Sequence, residues 1–354
     1  MAAIFRARAR KGIRDGVVPP VGEPFPTRAF PNTNYILAGL FIQDEISFGD
    51  RLKLIPALRY DHYSLTPKID PLFVGEAAEQ SDGHLSPKIG LVYWATDQFG
   101  VFANAAKGFK APSPSQVNNG FENVIFNYRS EPNPDLRPET SATIEGGARM
   151  RDAPFLGADW AGQVTAFAGR YEDFIEQVQV GGSFTPMDPA VFQFVNLSEV
   201  RIKGVEARLE AAWENGFGAI IAASASRGDQ ETDGLEAPLD SIEPWKLVAG
   251  LSYRDPGGRF GGRFSVTHSA EKNDARVNQT CGGACYTPEA FTLLDLTAYL
   301  NVTEHATFRI GVFNLTDETY SWWSDARGLG ASSTVLDAYT QPGRNVSASI
   351  SMRL

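Results

Sequence analysis

Along most of the chain, apolar and polar residues alternate one by one. In the last run Val346, Ala348, Ile350, Met352 and Leu354 alternate with Asn345, Ser347, Ser349, Ser351 and Arg353. Residues 291–302 set Leu294, Leu296, Ala298, Leu300 and Val302 against Asp295, Thr297, Tyr299 and Asn301. Val205, Ala207, Leu209, Ala211 and Trp213 do the same against Glu206, Arg208 and Glu210. A period of two predicts β-strands with one apolar and one polar face. The apolar set slips phase once: Phe192, Phe194, Val200 and Ile202 are even-numbered, whereas the set from Val205 onward is odd. A bulge near Gly204 is the expected cause.

About thirteen such runs follow one another, joined in alternation by tight turns and long polar loops. Tight turns fall at Phe48-Gly49-Asp50, Thr96-Asp97-Gln98, Glu214-Asn215-Gly216 and Thr303-Glu304-His305. Sandwich strands usually run about five or six residues. Runs of ten or more (roughly the length of a membrane-crossing strand), with this asymmetry of turns and loops, predict an all-β fold: a transmembrane antiparallel β-barrel with lipid outside and a wet or plugged interior. A soluble sandwich or propeller is the rival, since its strands also alternate. No apolar run approaches the roughly 18 residues of a membrane helix, which excludes helical spans only.

The turns also set a parity. If the tight turns share one side, the last run descends to that side, and counting back makes residues 34–46 descend too. The chain then starts on the loop side, which predicts the C-terminal part of a larger barrel. Residues 1–33, which lack any period after residue 11, are expected to be loop or an incomplete upstream barrel segment, with 34–354 forming the barrel portion.

Composition changes this picture little. With 32 Lys+Arg against 42 Asp+Glu the net charge is -10, which argues against a nucleic-acid partner. Cys281 and Cys285, close together in the Gly-rich QTCGGACY, suit a small disulfide in an oxidising compartment, with free thiols as the alternative. No further cysteine exists to complete a zinc site, and no metal site is expected.

One connection stands apart: KGFKAPSPSQVNNGFENVIFNYRSEPNPDLRPE, residues 107–139, is far longer than the usual link and is expected to be functional. Together with LFIQDEI (40–46), RYD (59–61), GVE (204–206) and VFNLTDETY (312–320), its end boxes KGFKAP and NPDLRPE resemble the TonB-dependent outer-membrane receptors. The resemblance runs from about Phe25 onward. It implies the C-terminal part of a 22-stranded barrel, with nine strands and the N-terminal plug absent from this chain. It also implies a partnership with the TonB system through that missing part, and with outer-membrane lipid.

Within the family the paired boxes look most like the haem and haemoprotein receptors. On that resemblance Phe109, Lys110, Ala111, Pro112, Tyr128, Arg129, Asn133, Pro134, Asp135 and Leu136 are expected to contact substrate. The implied function is active uptake of an iron source, haem or haem from haemoproteins, with a ferric siderophore as the alternative. Haem would be cargo; no intrinsic cofactor is expected. The subgroup carries a haem-ligating histidine between its boxes, yet no His lies between Phe109 and Leu136 here. Candidate ligands are therefore His84, His268 and His62, expected at the loop-side ends of strands, and Tyr128, since Tyr is an axial haem ligand elsewhere. His305 sits in a tight turn. In the loop 317–343 one of Trp322 and Trp323 is expected in an aromatic girdle at the lipid boundary. An outer-membrane protease or lipase would need a nucleophile, base and acid in mutual reach. The four histidines are scattered, so no catalytic residue is expected; a passive porin is the third class.

Overall fold

The computed structural model describes residues 2–10, 13, 25–73, 75–232, 234–278, 281 and 284–352. Among the described residues eighteen strands form one sheet: β1 (Ala2–Arg10), β2 (Thr33–Gln43), β3 (Ile46–Phe48), β4 (Leu52–Pro67), β5 (Gln80–Trp94), β6 (Phe99–Lys110), β7 (Phe121–Asn123), β8 (Tyr128–Glu131), β9 (Glu139–Phe155), β10 (Ala158–Gly181), β11 (Ala190–Trp213), β12 (Phe217–Thr232), β13 (Leu235–Pro238), β14 (Lys246–Arg254), β15 (Phe260–Ser269), β16 (Phe291–Thr303), β17 (Ala306–Phe313) and β18 (Asn345–Met352). All but four short ones follow in a single antiparallel ladder from β1 to β18, each long strand pairing with the next. Among the described residues β1 and β18 do not pair, so the wall is an open sheet rather than a closed ring.

The expected alternation of faces continues from strand to strand. Ile350 pairs with Phe308, Phe308 with Leu300, and Leu300 with Phe260. Leu251 pairs with Ala219 and Phe264, and Ala211 and Ala219 face each other. Cross-strand partners point to the same side, so these residues share one uninterrupted apolar face. Its larger members include solvent-exposed hydrophobic residues: Leu251 at 64%, Ile350 at 65% and Ile144 at 64%. Such a band on a soluble protein would be an aggregation surface; on a membrane wall it is the lipid face. Near the tight turns the band ends in a row of aromatic rings, Trp160 against Trp213, and Phe217, Tyr253 and Phe260 in sequence, with centroids 5.0–6.2 Å apart. Amphipathic rings collect at such interfaces.

The inner face carries the polar set. Asn104 donates to the Glu145 carboxylate at 2.8 Å, Arg208 is paired with Glu210, and the Arg149 guanidinium lies 4.6 Å over the Phe102 ring. Turn chemistry matches the strand ends. The β9–β10 turn consists of Leu156 and Gly157, both at positive φ (49° and 71°), the geometry that a two-residue hairpin demands.

Within residues 1–33, expected to be loop or an incomplete upstream barrel segment, Ala2–Arg10 is a strand that pairs with β2 from Ala2–Phe41 to Arg10–Thr33. β1 therefore runs from the tight-turn end to the loop end, and the parity drawn from a count starting at residue 34 falls, with the odd number of missing strands. The bulge near Gly204 is absent as well. Gly204 pairs with Phe167 on one side and Ser226 on the other within unbroken register. The phase slip has another origin: β10 and β11, at 24 residues each, outlast the membrane. Above Gly204 their outer face turns charged (Lys203, Arg201, Glu199), while the inner face turns apolar, with Val200 fully buried against Leu239, Tyr171, Ile202 and Ile242.

Candidate functional site

At the loop end the long β6–β9 connection folds back over the mouth instead of standing free. Its first turn is the helix α1 (Pro114–Val117), opened by Ser113, whose N–H donates to the Gln116 side chain at 2.8 Å. Val117 and Leu136, 0% and 1% exposed, lie in one cluster with Tyr35, Tyr63, Leu65 and Ile175 from the inner faces of three wall strands. The inner surface is thus apolar where the loop covers it.

Polar side chains then fasten the loop. The buried Asn118 amide exchanges two hydrogen bonds with the Ala78 backbone, at 2.7 and 3.0 Å. The Gln80 amide donates to the carbonyls of Pro134 and Leu136, and Asn133 donates to that of Phe194. Asn196 accepts from the Arg137 N–H at 2.8 Å, and β8 adds in parallel to the start of β11. Each bond uses a side-chain amide to satisfy backbone that an irregular loop leaves unpaired, as buried polar groups require.

The expected contact residues divide accordingly. Pro112, whose carbonyl accepts from the Tyr35 hydroxyl, Ala111, Asn133 and Leu136 are engaged in holding the loop. Lys110 pairs at 2.9 Å with the buried Glu139, which also accepts from the Ile175 N–H. Phe109 stacks on His84, centroids 5.2 Å apart and planes within 7°. Arg129 is tied to Glu131 at 2.8 Å, whereas Pro134 and Asp135 stay exposed. Tyr128 stands edge-on between Phe121 and Phe192, and Phe192 continues to Phe184, giving an aromatic row along the loop.

Register separates the candidate ligands. His84 pairs with Asp61 on the inner face. His62 pairs with Ala38, in the outward row with Tyr60 and Leu58, so it does not face the mouth. His268 pairs with Leu247 and Thr292, also outward, where its Nδ1 lies 2.9 Å from the Thr292 hydroxyl and its ring 5.0 Å from Trp245. Both are corrected from cavity ligands to residues of the outer rim, because counting strands places a residue at a height but not on a face. The tryptophan expectation is corrected too. Trp323 is 2% exposed, donates to the Asp240 carbonyl at 2.5 Å and lies under the Lys272 ammonium, while Trp322 packs on Phe291 and Tyr320. Neither belongs to the girdle. Burial beside Trp323 lowers the Lys272 pKa, and burial likewise raises that of Glu176. Cys281 and Cys285 are joined by a disulfide in a loop that pairs with Gly330 of the neighbouring one.

Sequence reasoning missed the loop's apolar tip. Val124, Ile125 and Phe126 are 64%, 54% and 59% exposed between β7 and β8. The signal was the run VIFN in an otherwise polar connection.

The comparisons with known proteins agree with this geometry. The family described as TonB dependent receptor-like, beta-barrel matches residues 5–315. Similar curated proteins include a haemoglobin-haptoglobin utilization protein B of Neisseria meningitidis serogroup C, 26% identical over 85% of this chain and 42% of its own. Another is a haemoglobin-binding protein A of Haemophilus influenzae, 29% identical over 69% of this chain and 27% of its own. The chain thus spans less than half the length of these relatives. Among solved structures, a double mutant of the Serratia marcescens hemophore receptor HasR, in complex with its hemophore HasA and heme, superimposes with a TM-score of 0.69 at 17% identity, covering 92% of this chain and 52% of that one. The copper transporter OprC gives 0.70 at 16%, covering 90% and 48%. The chain belongs to the TonB-dependent receptor β-barrel family of the outer membrane.

Proposed function

We propose that this chain forms the wall and extracellular mouth of a receptor for TonB-dependent uptake of haem drawn from haemoproteins. The observation that carries the reading is the β6–β9 loop. It is fixed over the mouth by Asn118, Gln80 and Asn133, its Phe121 and Tyr128 join Phe192 of β11 and Phe184 in an aromatic row, and its own tip at 124–126 is exposed and apolar. Flat aromatic surfaces suit a porphyrin, and a fastened loop loses little entropy on binding. The names of the curated relatives, haemoglobin-haptoglobin utilization and haemoglobin-binding proteins, support the same ligand class. TonB and a plug would supply the coupling; the residues described here supply capture.

For an axial ligand the mouth offers Tyr128 and His84, and His84 would have to leave Phe109 to serve. Titrating the full-length receptor with haemin at the Soret band tests this. Tyr128→Phe or His84→Ala is expected to weaken the shift, and the outward-facing His268→Ala to leave it unchanged. A receptor that gives no Soret change in any form, but binds a ferric siderophore, sinks the haem reading.

A further inference from the structure

We infer that the outer face of the wall, just above the apolar band, carries a binding site for a phosphate-bearing lipid headgroup of the outer leaflet. Register orders the charges by height across β6, β9, β10, β11 and β12. The row Ala103–Gly146–Ala166–Val205–Ala225 is wholly apolar or small. One step up, Ala105, Ile144 and Ala168 are joined by Lys203 and Arg227. The next row brings Lys107, Arg170 and Arg201, with Asp229. Only the row above that is acidic, with Glu172, Glu199 and Glu231.

Pairing alone does not call for this order. Arg170 and Arg201 reach upward to Glu199, and Arg227 to Asp229, so the acids cancel the top of the belt. Asp229 is further occupied by Arg276 at 2.7 Å. Lys203, in the lower cationic row, and Lys107, in the next, have no ion-pair partner among the described residues. The surface is also concave there. A cleft of about 800 Å³ runs over these strands, with Pro87, Ile89 and Ile144 on its apolar side and Lys107, Lys203 and Arg227 on its cationic side. Apolar wall below and cations immediately above match acyl chain below and phosphate above. Arg and Lys are the side chains that bind phosphate, by fork and by point charge. The site lies on the opposite face from the mouth and is independent of which iron source is carried.

The test reconstitutes the full chain in phosphatidylcholine vesicles doped with lipid A or with lipid A stripped of its phosphates. After detergent extraction, retained glycolipid is quantified by mass spectrometry. Lipid A should be retained and its dephosphorylated form lost, with inorganic phosphate in the buffer unable to displace it. Each surface cation contributes roughly fivefold, so the triple variant K107Q/K203Q/R227Q should retain lipid A on the order of 100-fold more weakly. Far-UV circular dichroism of the same variant must show wild-type strand content, which the exposure of all three side chains predicts. The inner-face R208Q serves as a second variant and should retain lipid A like the parent. Equal retention by the triple variant, or equal retention of the dephosphorylated lipid, overturns the site. Displacement by inorganic phosphate overturns the lipid as its occupant.

Discussion

The β10–β11 hairpin is one unbroken ladder that passes through two solvents. Below Gly204 it turns Val205, Ala207 and Leu209 outward and Glu206, Arg208 and Glu210 inward; above it the charges lie outside and Val200 and Ile202 inside. The backbone does not change at the boundary. What changes is which side is wet: lipid outside below, and above it water outside with a loop packed within. A phase slip in an alternating pattern therefore has two readings, a bulge or a change of solvent, and only register tells them apart.

The comparison can be broken most severely in the upper, inner half. Trp323 fills the space under the loops, and Trp→Ala truncations of that kind cost about 3–5 kcal/mol. Trp323→Ala is expected to leave the wall intact while exposing the loops around Asp240 and Lys272 to rapid hydrogen exchange. If protection fell equally in β16 and β17, the two halves would not be separate units.

Next in size is a charge on the lipid face. Leu209→Arg should cost about 2–4 kcal/mol, the penalty near the middle of the bilayer, in denaturant unfolding from lipid vesicles. Arg201→Leu, the reverse exchange on the same face above the boundary, should cost clearly less than Leu209→Arg in the same unfolding experiment. Comparable losses from both would place Gly204 away from the membrane edge.

The sequence made the wall legible because strand periodicity and turn chemistry are local. Strand β1 was missed because its alternation, Ala3, Phe5, Ala7 and Ala9 against Arg6, Arg8 and Arg10, is short and built mostly of Ala, a weak strand former. The mouth was half legible. The boxes marked where the loop begins and ends, but their roles depend on partners far away in sequence, such as Gln80 for Leu136 and Phe194 for Asn133. The same distance hid the facing of His62 and His268, which register with Ala38 and Leu247 decides.

Asn133 sharpens that point with a smaller effect. Replacing it by Ala leaves the Phe194 carbonyl without this donor, a loss of about 1–3 kcal/mol. Asn133→Ala is expected to raise proteolytic cutting within 113–138 without altering the wall's resistance to denaturant. Unchanged cutting would show that the box does not fasten the loop.

The smallest effect appears only in alkali. Tyr63 is 2% exposed beneath the loop, donating to the Gln80 side chain, and burial, aided by the charges of Asp82 and Tyr35, pushes its pKa up to about 12. A phenol whose folded value lies above the unfolded one, near 10, favours folding fully below about pH 10. Between 10 and about 12 the unfolded chain releases the proton while the folded mouth keeps it, so stability falls as pH rises through that window. Ultraviolet phenolate titration should show a late tyrosine step at about pH 12 that Tyr63→Phe removes. Because the loop supplies the burial, Asn133→Ala should also move that step back toward pH 10. An unshifted step in the loosened loop would mean that the strands alone bury Tyr63, and that the upper half of the wall owes its dry interior to something other than the loop.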